Sequence, residues 1–112
     1  MKILKINSKA TNLPYAYILA PREKNLPELL QEFKQIYGLA EPPPPNQNYY
    51  GRLAQAQLTH LKLMPHHSPR LRAVPQDLCQ IFVEWLLEKD NFRLANSEQM
   101  EDPVNTEECW FG

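Results

Sequence analysis

Glycine is scarce in this chain: three residues, at positions 38, 51 and 112. A loop that cradles phosphate needs closely spaced glycines so that backbone N–H groups can approach the ligand, so nucleotide-binding loops of that kind are excluded. Cysteine is scarcer, with only Cys79 and Cys109, and neither a CxxC nor an HExxH spacing occurs. No structural zinc site or disulfide framework is therefore expected. A GxSxG nucleophile elbow is also missing. No run of apolar residues reaches the length of a membrane-spanning helix. The start, "MKILKINSKATNLP", is broken by lysine and too short in its apolar stretch for a signal peptide. Net charge is nearly absent as well, at -1, so no overall field would recruit nucleic acid or an anionic membrane. These absences point to a cytoplasmic protein with no cofactor, no metal and no membrane association.

What is present is unevenly distributed charge. Residues 1–24 carry a formal +4 and residues 25–47 a formal -2. Residues 48–76 hold Arg52, Lys62, Arg70 and Arg72 with no acid, whereas residues 77–112 hold nine acids against Lys89 and Arg93. Such segregation suits either an acidic end folded onto a basic middle or a bipolar binding surface.

Patterning predicts an α+β fold, with a small two- or three-stranded sheet packed against about three helices. "MKILKIN" and "YAYILA" read as strands near 1–7 and 15–20, with a third candidate near 91–96. Residues 26–37 form the clearest helix. Asn25 stands at its cap with Glu28 in capping-box position, Pro27 lies in the first turn, and Gly38 ends it. Leu26, Leu29, Leu30, Phe33 and Ile36 make its apolar face, and Glu28, Gln31, Glu32 and Gln35 its solvated one.

Residues 41–47, "EPPPPNQ", are expected to form a polyproline II connector, a rigid spacer rather than a docking motif. Residues 48–64 are expected to be helical on the stripe Tyr50, Leu53, Ala54, Leu58, Leu61 and Met64. Residues 75–90 form another helix, with Pro75 in its first turn and only a narrow polar stripe at Asp77, Gln80, Glu84 and Glu88. A helix so apolar is either the central core helix or part of a homodimer contact. Residues 1–96 therefore read as one compact domain. Residues 97–112 read as an acidic, aperiodic and mobile tail ending in Trp110 and Phe111.

Three function classes compete. The first is a small, non-catalytic interaction or regulatory protein that uses protein contacts. Its partner is an unknown protein or a second copy of the chain, and the tail contributes Trp110 and Phe111. Alternatively the tail folds back, with Trp110 in the core. The second class is a nucleic-acid accessory protein. It would use Tyr49, Tyr50, Arg52, Lys62, His66, His67, Arg70 and Arg72, cations for phosphates and aromatics for bases. A third is a small enzyme in which His60 reaches Glu84 or Glu88 as a general acid or base. The protein-contact reading is favoured.

Overall fold

The computed structural model describes residues 1–64, 74–96 and 106–111. It is an α+β fold: a four-stranded sheet packed with three helices. Chain order is β1 (Lys2–Ser8), β2 (Leu13–Ala20), α1 (Leu26–Tyr37), α2 (Tyr49–Leu63), α3 (Leu78–Leu87), β3 (Arg93–Leu94) and β4 (Thr106–Phe111). In space the strands run β3-β2-β1-β4, with β2 antiparallel and β4 parallel to β1.

Alternation along the strands decides which side meets the helices. Leu4 and Ile6 of β1 stand opposite Ile18 and Ala16 of β2, and Leu4, Ile6 and Ile18 are completely buried. On β4, Cys109 lies in register with Ile6 and Phe111 with Ser8, continuing the same apolar face. Helices α1 and α3 rest on the sheet, and α2 packs on both.

The sheet is larger than the two or three strands expected, because the C-terminal segment contributes one. Residues 106–111 are not a tail free of structure: they form β4, beside the central strand. Their acids mask the pattern, since "TEECWF" carries Glu107 and Glu108 where a strand usually shows uncharged residues. Both charges are answered by β1, Glu108 by Lys5 at 3.1 Å and Glu107 by Lys2 at 2.5 Å. Phe111 supplies the apolar anchor. Its ring stacks on Phe82 with centroids 4.8 Å apart and meets Phe33 edge-on at 5.8 Å. Burying a phenylalanine of this kind contributes about 1.5–3 kcal/mol. The third expected strand, near 91–96, shrinks to Arg93–Leu94.

Helix α1 begins and ends at the expected residues, but its N-terminus is held differently. The Asn25 side chain makes no capping bond to the helix. Instead Glu107 reaches across from β4 and accepts the Leu26 N–H at 2.9 Å. A carboxylate placed there satisfies an orphan donor and meets the positive end of the helix dipole. At the other end Gly38 adopts φ +69°, and the Leu39 N–H returns to the Lys34 carbonyl at 2.8 Å. A Cβ at Gly38 would collide with the Gln55 side-chain amide. The buried stripe of α1 is Leu26, Leu29, Phe33 and Tyr37; Ile36, expected inside, is exposed.

The proline connector is not one extended rod. The Gln47 N–H bonds the Pro44 carbonyl at 3.0 Å, closing a turn before α2. Asn48 then caps α2 by accepting the Gly51 N–H at 2.9 Å. Helix α3 starts later than expected. Asp77 is its cap, accepting the Cys79 N–H at 2.9 Å, so Pro75 precedes the helix rather than lying in its first turn. Its residues Leu78, Cys79, Ile81, Phe82, Val83, Trp85 and Leu86 are all buried within the single chain, which accounts for its apolar circumference without a second subunit. Among the described residues no helix is long and apolar enough to cross a membrane.

Candidate functional site

Helical spacing carries Tyr37, His60 and Glu84 from three different helices to one point in the core. Tyr37 and His60 are fully buried, and Glu84 nearly so. His60 Nδ1 lies 2.6 Å from the Tyr37 hydroxyl, and Nε2 lies 3.0 Å from a Glu84 carboxylate oxygen. Burial pushes the His60 pKa down, outweighing the hydrogen bond and charge of Glu84 and the charge of Glu88, which act the other way. Burial, then the charge of Glu84, lifts the Tyr37 phenol far above its ordinary range. One proton arrangement fits all of this: Tyr37 donates O–H to Nδ1 of a neutral imidazole, whose Nε2–H donates to Glu84.

This corrects one expectation and meets another, the reach of His60 to Glu84. Glu84 does not belong to a solvated stripe, because its position on α3 points it at α2. His60 is a core residue with both ring nitrogens engaged. Tyr37 does not stand out in the sequence, although it continues the spacing of Leu26, Leu29 and Phe33 by one further turn.

A concave surface runs along the outside of α1, the Gly38–Glu41 turn and the end of β4. One cavity of about 830 Å³ is lined by Pro27, Leu30, Lys34, Leu39 and Glu41, among others. A second, of about 250 Å³, lies between Lys9, Lys34, Arg52, Glu41, Leu30 and the Trp110–Phe111 end of β4. A third, of about 260 Å³, adjoins Leu26, Pro27, Leu30, Glu107 and Glu108. Leu30 lines all three, so they adjoin one another around this side chain. Along it, β4 has no strand neighbour on its outer side among the described residues.

Two parts of the expected binding set meet here. Arg52, assigned from the sequence to a basic surface, lines the same cavity as Trp110 and Phe111, assigned to a free tail. The Arg52 guanidinium bonds Glu41 at 3.3 Å, and Lys34 bonds the same carboxylate oxygen at 3.1 Å. The hydrogen bond from Lys34, chiefly, holds the Glu41 carboxyl below its ordinary range. None of Lys34, Glu41 and Lys9 stands out in the sequence; only the fold of α1 onto β4 and α2 gathers them.

The remaining candidates scatter. Tyr49 turns inward, its hydroxyl donating to Asp77 at 3.2 Å. Tyr50 and Lys62 are exposed. Phe111 belongs to the core, whereas Trp110 remains 44% exposed and is not the core ring that a folded-back end could have supplied. His66, His67, Arg70 and Arg72 lie outside the described residues. Among the described residues no cluster of His, Cys, Asp or Glu could hold a metal ion, and Cys79 and Cys109 are free thiols. No protein-family model, curated protein or solved structure matches this chain.

Proposed function

We propose that the protein is a small, non-catalytic binding module that acts through protein contact, holding an extended segment of a partner along the α1–β4 surface. The observation that carries this reading is the set of adjoining cavities around Leu30, bordered by a strand at the sheet edge among the described residues. An extended segment can use both features at once, pairing its backbone with the strand edge while its side chains enter the adjoining cavities. The state of His60 adds support. An imidazole hydrogen-bonded at both nitrogens and closed off from solvent stabilises a core but has no access to a substrate. The nucleic-acid reading loses one of its contacts among the described residues, since Tyr49 is engaged with Asp77.

The test is site-specific photo-crosslinking in cells. A benzophenone side chain replacing Gln31, which lines the main cavity, is compared with one replacing Leu58, exposed on α2. The expected result is a discrete protein adduct from position 31 that is lost when Leu30→Asp is added. Adducts identical from both positions, or indifferent to Leu30→Asp, would overturn the proposal.

A further inference from the structure

We infer that the cavity between Lys9, Lys34, Arg52 and the end of β4 is a carboxylate-binding site, taking an acidic group borne on a small apolar body. The inference deepens the binding role above by giving the chemistry of the group that the partner inserts. Three cations line this cavity against one acid, Glu41, leaving it with a formal charge of +2. Its walls are otherwise apolar: Leu30, Leu39, Leu78 and Phe111. At about 250 Å³ it has room for one side chain or chain terminus rather than a larger ligand.

The decisive feature is Arg52. Its side chain is only 14% exposed, and its Nε–H is buried with no acceptor among the described residues. A guanidinium is built to present a fork of donors to a carboxylate, and a buried donor left unanswered is costly. Glu41 answers only part of the fork, through a single oxygen shared between Arg52 and Lys34. That contact shows the cavity already accepting one carboxylate at hydrogen-bonding distance. It also makes Glu41, half-exposed on its turn, an internal competitor for the same cations.

The competitor role gives a test that a purely structural ion pair would fail. In the purified full chain, the Arg52 Nε–H resonance is followed by nitrogen-15 NMR during titration with 3-phenylpropionate, its uncharged amide, and inorganic phosphate. The expected outcome is a saturable shift with the carboxylate and none with the amide. Glu41→Gln removes the competing charge and should tighten binding about three- to tenfold at low salt, an advantage that shrinks as salt is added. Lys9→Gln, on the surface and outside the core, should weaken binding severalfold without disturbing the fold.

Two peptides identify the source of the acid: acetyl-Ala-Ala-Phe with a free C-terminus, and acetyl-Ala-Glu-Phe-amide with its acid on a side chain. Saturable binding of either supports the inference. No saturable shift with 3-phenylpropionate, equal response to the amide, a preference for phosphate, or weaker binding in Glu41→Gln would each overturn it. Because these titrations use no partner, they stand or fall separately from the crosslinking result.

Discussion

Replacing His60 with leucine should be among the most damaging single substitutions in this protein. The two side chains are similar in size, so the change removes chemistry more than volume. Two hydrogen bonds vanish together, at 2.6 and 3.0 Å, leaving a phenol and a carboxylate facing an apolar side chain. A buried hydroxyl without a partner costs about 1–3 kcal/mol. Losing a buried hydrogen bond to a carboxylate costs about 1.5–3 kcal/mol, although Glu84, with 10% of its side chain exposed, can recover some of that by turning to water. A net loss of about 4 kcal/mol follows. With a urea slope of about 1.5–2 kcal/mol per molar, the midpoint should fall by about 2–3 M. Tyr37→Phe alone should cost about 1 kcal/mol, but close to nothing in the His60→Leu background, because the hydroxyl has then already lost its acceptor. Urea unfolding followed by far-ultraviolet circular dichroism measures all four proteins of this cycle. A His60→Leu loss below about 1 kcal/mol, or a Tyr37→Phe cost unchanged by that background, would refute the reasoning.

The same imidazole makes stability depend on pH. Its pKa in the folded protein lies below the ordinary value of 6.5, so the unfolded chain takes up the proton first. The contribution is complete above about pH 6.5 and is lost as pH falls from there through the folded-state value; the corresponding slope should be missing in His60→Leu when thermal unfolding is scanned over pH. Glu107→Ala should cost about 1–2 kcal/mol, because it frees both the Leu26 N–H and Lys2, as read by the same urea unfolding. Gly38→Ala should destabilise by about 1–2 kcal/mol, since alanine meets a left-handed backbone and the Gln55 amide together. Burial first, helped by nearby acids, pushes the Cys79 and Cys109 thiols up to about 12, so iodoacetamide at pH 8 should leave both unlabelled until the protein is unfolded, as intact-mass spectrometry can count.

The elements with strong periodicity are legible in the amino-acid order itself. Pro27, Gly38 and the apolar repeat bound α1 to the residue, and the Ile- and Leu-rich stretches of β1 and β2 announce a sheet. Local signals fail where a partner distant in sequence answers the local feature. Glu107 and Glu108 read as solvent-loving tail residues because nothing near them neutralises them; Lys2 and Lys5, at the opposite end of the chain, do so. Asn25 reads as a cap because its neighbours fit the motif, yet the carboxylate that fills that role comes from β4.

His60 is half legible: its reach to Glu84 is expected from the sequence, its contact with Tyr37 is not. On α2 His60 shares the buried face with Leu53, Ala56 and Met64, whereas Tyr50, Ala54, Leu58 and Leu61 of the expected stripe are exposed. The approach of α1 and α3 gives its two nitrogens partners and makes its burial tolerable. The binding surface is the least legible part. Arg52 and the end of β4 both stand out in the sequence, but as parts of different hypotheses. What the amino-acid order determined by itself was the set of elements, through period, capping and turn chemistry, which act over a few residues. What only the tertiary structure decided was which charges meet. Coulombic and hydrogen-bonded pairing acts over a few ångströms in space, and no local pattern specifies which distant residues the folded core will bring that close.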